Sequence, residues 1–253
     1  MSSAYLHELS QPEAAARLGE GRTAILVVGS VEQHGAHLPL GTDYLAALTV
    51  AERVSALLEA PVLPLGPVGV APYHAAWPGS LTLRPQTLIA LLVDICDGLA
   101  AAGVERLLLV NWHEGNTPTL RLAADEAQRR NERLRIVVAE THVAAHELSG
   151  LELTHAGTLE TTAVLAHDPA LVRLDQARDA TADEAGEAGH ALFRRRDVFP
   201  VLRDFREVAA TGWYGHPEQA SEEQARALFA QVAEHVADRA RELWSALEQE
   251  AGA

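Results

Sequence analysis

The chain is 253 residues long and 48% hydrophobic, enough to bury a substantial core in one α/β domain spanning residues 1–253. Twenty basic residues, every one an Arg, stand against 35 acidic ones, and the resulting charge of −15 repels a phosphate backbone, which excludes nucleic acid as a partner. No apolar run approaches membrane-spanning length, no N-terminal targeting pattern is present, and the single Cys96 has no disulfide partner, so the expectation is a soluble cytoplasmic protein without membrane contact.

The first readable element is Thr23-Ala-Ile-Leu-Val-Val28, an uninterrupted apolar run bounded by glycines, which predicts a strand buried on both faces of a parallel sheet. The carboxyl end of such a strand is where open α/β sheets place ligands. Here it runs into Gly29-Ser-Val-Glu-Gln-His-Gly-Ala-His-Leu-Pro-Leu-Gly-Thr-Asp43. If the extended conformation continues, Glu32 and His34 are two apart and point to the same side. Gly35, Pro39 and Gly41 then break the strand into a loop that delivers Asp43 to the start of a helix over 44–58. Carboxylates mixed with imidazoles suit zinc or manganese better than a thiolate-loving ion. A polar turn with exposed histidines and capping acids is the competing reading of the same spacing.

Further along, residues 61–66 read as a short strand, and 67–79 are too rich in Pro and Gly for anything but a loop over the sheet. A strongly apolar helix over 87–102 is closed by Gly103. A strand over 104–110, a helix over 117–130 and a strand over 134–139 follow, then a helix over 158–166. A long amphipathic helix over 221–250 ends the pattern, with Ser221 and two glutamates at its N-terminus. This alternation predicts βαβ units and a parallel sheet. Residues 168–215 give no clear pattern, and Arg194-Arg-Arg196 within them reads as a solvated face or subunit contact rather than an anion site.

Two more polar clusters sit at comparable topological positions. Asn111-Trp-His-Glu-Gly-Asn116 directly follows the 104–110 strand and offers His113 as a nitrogen ligand and Glu114 as an acid. Thr154-His-Ala-Gly-Thr-Leu-Glu-Thr-Thr162 places His155 before a glycine turn and Glu160 in the first turn of the next helix, pointing beyond its N-terminus. His74, Trp77 and Trp112 are the candidates to wall a pocket near them, although packing explains a tryptophan equally well.

Taken together, Glu32-Gln-His-Gly-Ala-His-Leu-Pro-Leu-Gly-Thr-Asp43, Asn111-Trp-His-Glu-Gly-Asn116 and His155-Ala-Gly-Thr-Leu-Glu-Thr-Thr162 resemble the creatininase family, as do Tyr73-His-Ala-Ala-Trp-Pro-Gly-Ser80 and Gly212-Trp-Tyr-Gly-His-Pro217. The resemblance implies a creatininase-like three-layer α/β/α sandwich with a mainly parallel sheet. It also implies a divalent metal centre, often of two ions per chain, and a homo-oligomer, frequently a hexamer. By matching positions, Glu32, His34, Asp43 and His113 would be ligands, with Asp43 the bridge, and His155 would handle protons. Four positions depart from the pattern, one of them, His216 where the family often has Asp, without a physical account. In creatininase a glutamate two residues after the metal histidine holds the second ion, whereas this chain has Gly115 there and Glu114 one place earlier. The replacement is left open between Glu114 and Glu160, the latter also a catalytic candidate beside His155. Trp112 stands where the family has glycine and would fill the mouth of the site, and Thr154 stands where creatininase has an acid, which argues against creatinine itself. The implied activity is hydrolysis of a carbon–nitrogen bond in a small-molecule cyclic amide or formamide by metal-activated water. The alternatives are a peptidase trimming a small modified peptide, or a metal-binding pseudoenzyme.

Overall fold

Four apolar runs form one sheet: β1 (Thr23–Val28), β2 (Val62–Pro64), β3 (Arg106–Asn111) and β4 (Arg135–Glu140), ordered β2-β1-β3-β4 with every neighbouring pair parallel. The structure is a computed structural model describing residues 3–177, 197–198 and 201–251; Arg194, Arg195 and Arg196 lie outside them. Along the central strands successive side chains alternate between two cores. Ile25 and Val27 of β1 and Leu108 and Val110 of β3 face one side, where helices α2 (Thr42–Leu58), α5 (Thr141–Ser149), α6 (Thr158–His167) and α7 (Glu222–Ala251) pack. Leu26, Val28, Leu107 and Leu109 face the other, against α1 (Gln11–Gly21), α3 (Pro85–Ala101) and α4 (Thr117–Arg130). The result is the expected three-layer α/β/α sandwich. Among the described residues no helix is long and apolar enough to cross a membrane.

Two helices differ from expectation. α1 begins with a Ser10–Glu13 capping box and a proline, a strong start signal. Among its described side chains only Leu18 is buried, however, so no apolar period marks its body. α5 starts at the residue after β4, with neither Gly nor Pro to punctuate the change.

Trp112 corrects a more specific expectation. The strand alternation continues one residue past β3, so Trp112 follows Val110 into the α7 side instead of filling the mouth of the site. It is 1% exposed and stacks on Phe229 of α7 at 5.4 Å between ring centroids. Trp112→Ala is therefore expected to cost about 3–5 kcal/mol of stability, read by urea denaturation. A loss below about 1 kcal/mol would mean that the ring is not the core anchor described.

One glycine is required to bring the functional loops together. A Cβ on Gly29 would fall 2.4 Å from Tyr44 Cα, so only glycine lets the first turn of α2 close on the end of β1. That contact sets Asp43, the second residue of α2, beside Glu32.

Candidate metal centre

Every contributing segment reaches the carboxyl edge of the sheet. The loop after β1 supplies Glu32, Gln33 and His34, and the first turn of α2 supplies Asp43. His113 follows β3, the 67–79 loop brings in His74, the turn before α6 carries His155, and the first turn of α6 carries Glu160. Among the described residues three groups place one ligand atom per residue within 4.8 Å of one another: Glu32–Asp43–His113, His34–Asp43–Glu160 and Glu32–His34–His155. Asp43 is common to the first two. Its Oδ2 lies 3.2 Å from His113 Nδ1 and its Oδ1 3.5 Å from His34 Nε2, which in turn is 3.6 Å from Glu160 Oε2.

Hydrogen bonds behind the cluster decide which ring nitrogens face it. His34 Nδ1–H donates to the Glu32 carbonyl at 3.1 Å, turning a bare Nε2 inward. His113 Nε2–H donates to the Val70 carbonyl at 3.0 Å, turning Nδ1 toward Asp43. His155 Nε2–H donates to the Gln33 carbonyl at 2.8 Å, leaving Nδ1 to face Glu160 Oε2 at 3.9 Å. Ala156, held in the left-handed region at φ 54°, donates its N–H to Glu160 and accepts from His37 Nε2 at 2.8 Å. The His37 ring packs at a tilt against Trp213, 4.6 Å between centroids, and belongs to this support rather than to the cluster.

His34 and Asp43 are 0% and 2% exposed, and His34 Nε2 and Asp43 Oδ2 are sealed from solvent without a well-aligned hydrogen bond. Burial raises the Glu32 and Glu160 carboxyls above the ordinary carboxylate range, with neighbouring carboxylates adding to the effect. Burial also opposes charge on His34 and His113, yet Asp43 with Glu160, and Glu32 with Asp43, raise both imidazoles. Three carboxylates buried together thus call for positive charge, from protons on the imidazoles or from cations. Oxygen and nitrogen donors with inward lone pairs fit divalent ions of the zinc and manganese kind.

Of the expected site residues, Glu32, His34, Asp43, His113, His155 and Glu160 come together. Glu114 is exposed on the turn after His113 and takes no part in the three groups. At Gly115 a Cβ would fall 2.4 Å from His113 Nε2 and 2.6 Å from the Val70 carbonyl oxygen, so this backbone has no room there for a side chain. Sequence reasoning underrated His74, whose Nε2 lies 3.4 Å from Glu32 Oε1. It missed Gln33, although that residue stands inside the first motif. It also missed Phe205, whose ring covers His74 at 4.7 Å and His155 at 4.8 Å between centroids. Trp77 lies beside His74, with the Arg206 guanidinium 5.5 Å above its ring, so the outer wall is aromatic.

The fold and cluster define an α/β protein with a buried carboxylate–imidazole centre at the carboxyl edge of a parallel sheet. A family model, Creatininase, described as creatinine amidohydrolase, matches residues 7–240. Creatinine amidohydrolase of Pseudomonas putida is 28% identical, with 95% of this chain and 97% of that one covered. A mycofactocin precursor peptide peptidase of Mycobacterium tuberculosis is 31% identical over 81% of this chain and 79% of that one. Among solved structures, "Creatininase Mn" superposes with a TM-score of 0.79 at 28% identity, covering 95% of this chain and 98% of that one. A mutant creatininase of Zn-Zn type does so at 0.79 and 27%, covering 96% and 98%. The chain belongs to the creatininase family.

Proposed function

We propose that the chain is a divalent-metal-dependent amidohydrolase that cleaves a carbon–nitrogen bond in a small cyclic amide or a formamide. The observation that carries this reading is Asp43, shared between two groups of three ligand atoms. Glu32, Asp43 and His113 would hold the first ion, and His34, Asp43 and Glu160 the second. Bound divalent ions supply a Lewis acid for the carbonyl oxygen and bring the pKa of water toward neutrality. The inward nitrogens of His34 and His113 and the carboxylates of Glu32, Asp43 and Glu160 set where that charge sits. His155, presenting a bare Nδ1, takes up the proton shed by the attacking water and delivers it to the departing nitrogen, which is too basic to leave unprotonated. Phe205 lies against this imidazole and keeps bulk water away from the proton.

The test is elemental analysis of protein purified without chelator, followed by turnover of creatinine, hydantoins, formamides, lactones and short peptides with zinc-loaded and manganese-loaded enzyme. Near two ions per chain and turnover of an amide are expected. No ion after metal addition, or no hydrolysis of any substrate, defeats the reading. A second reading, trimming of a small modified peptide, is supported by the similarity to the mycobacterial peptidase; it predicts turnover in the peptide arm alone. We further place the enzyme in the cytoplasm as a homo-oligomer, a hexamer being the assembly to look for by light scattering.

His155→Ala is expected to retain both ions while turnover falls roughly 100- to 10,000-fold, the range for loss of a general acid–base group. Unchanged turnover would move the proton transfer to another group.

A further inference from the structure

Gln33 is 5% exposed, stands between two of the candidate ligands and has no part in the chemistry above. Its side chain nonetheless has four close polar neighbours. The amide Nε2 lies 3.0 Å from His74 Nδ1, 3.0 Å from His155 Nε2 and 2.6 Å from the Gly212 carbonyl, while Oε1 accepts the Gly35 N–H at 3.2 Å. An amide nitrogen carries two hydrogens, so three neighbours cannot all be acceptors. His155 Nε2 is already committed as a donor to the Gln33 main-chain carbonyl at 2.8 Å, which removes it as an acceptor. The two hydrogens therefore go to the Gly212 carbonyl and to His74 Nδ1.

This assignment propagates inward. With Nδ1 accepting, the proton of a neutral His74 resides on Nε2, 3.4 Å from Glu32 Oε1. The other Glu32 oxygen accepts from Ser30 Oγ at 3.1 Å and faces His113 Nε2 at 3.4 Å. Glu32 is thus held from both sides by donors. The opposite His74 tautomer would set a nitrogen lone pair against a carboxylate oxygen and push Glu32 out of place.

We propose that Gln33 is a positioning residue: it fixes which nitrogen of His74 carries the proton and thereby orients the Glu32 carboxylate at the first ion position. The orientation of a ligand rests on the metal-centre reading above; the tautomer does not. Residue 33 thus sets both histidines, His155 through its main chain and His74 through its side chain.

The test is nitrogen NMR of histidine-labelled, metal-free protein near neutral pH, for the wild type, Gln33→Glu and Gln33→Met. Wild-type His74 is expected with Nδ1 bare and Nε2 protonated. Gln33→Glu, which replaces the donor by an acceptor, is expected to put a proton on Nδ1; Gln33→Met, similar in length with no donor, is expected to give a mixture. In both variants Zn2+ affinity, measured by competition with a chromogenic chelator, should fall roughly 10- to 100-fold, the usual effect of losing an outer hydrogen bond to a metal site. A merely structural glutamine would shift the melting temperature without moving the His74 proton. A wild-type His74 protonated on Nδ1, or variants with unchanged tautomer and Zn2+ affinity, overturns the proposal. The wild-type spectrum decides even if one variant fails to fold. A wild type that binds no Zn2+ defeats the metal-centre reading instead and leaves the tautomer result standing.

Discussion

Asp43→Ala leaves the protein without either ion and without turnover. The expectation follows from geometry: Oδ1 approaches His34 Nε2 at 3.5 Å and Oδ2 approaches His113 Nδ1 at 3.2 Å, so one carboxylate serves both groups of donors. Each group is then left with two donors instead of three, too few to outcompete water for a divalent ion. Loss of an outer hydrogen bond already costs about 10- to 100-fold in affinity, and loss of a ligand from both positions should exceed that at each. His34 and His113 hold the Asp43 carboxyl well below the ordinary carboxylate range, so its loss also removes a stabilising charge and the fold of the variant is checked beside its metal content. Elemental analysis and circular dichroism read the two halves of the prediction. One retained ion would show that Asp43 does not bridge, and the assignment of Glu160 to the second position would fall with it.

Gly115→Ala is expected to damage the centre almost as badly, although the added methyl carries no charge and touches no proposed ligand oxygen. Its Cβ would lie 2.4 Å from His113 Nε2 and 2.6 Å from the Val70 carbonyl oxygen, the two atoms whose hydrogen bond turns His113 Nδ1 inward. One of them must move, and His113 is the freer. Zn2+ affinity should therefore drop at least about 10- to 100-fold. Gly115→Glu, which restores the carboxylate creatininase has at this position, should do worse, since the larger side chain meets the same obstruction before its carboxylate can reach an ion. The control is Gly98→Ala in α3, where an added Cβ meets nothing within 4 Å. There the change should stabilise the helix by about 0.5–1 kcal/mol and leave metal binding alone. Stronger metal binding by Gly115→Glu would reverse the view that Glu160 has taken over this role.

How much of this was legible in the chain varies with how local the cause is. The buried strands announce themselves, because continuous apolar runs such as Leu107 to Val110 have few other uses at that length. The first motif was equally readable, since Glu32, His34 and Asp43 are set by one strand end and one helix start. The choice between Glu114 and Glu160 was not, because it depends on a turn after β3 that leaves Glu114 exposed while α6 aims its first turn at the cluster. Trp112 was misplaced for a simpler reason: the two-residue period of β3 was not carried one step past its end. The network of Gln33 was out of reach, as its partners His74 and Gly212 lie 41 and 179 residues away in the chain. Phe205 belongs to a stretch with no period at all, on a short turn capped by Asp204.

The roof formed by Phe205 bears on time as well as on geometry. With its ring resting on His74 and His155, the 204–207 turn is expected to slow the exchange of anything held by the proposed ligands. Opening of a local segment then sets the clock for exchange. Stripping by a chelator should proceed at a rate that stops rising once the chelator is abundant, and Phe205→Ala should raise that ceiling. A centre of modest affinity can in this way keep its ions through a purification long enough for them to be counted.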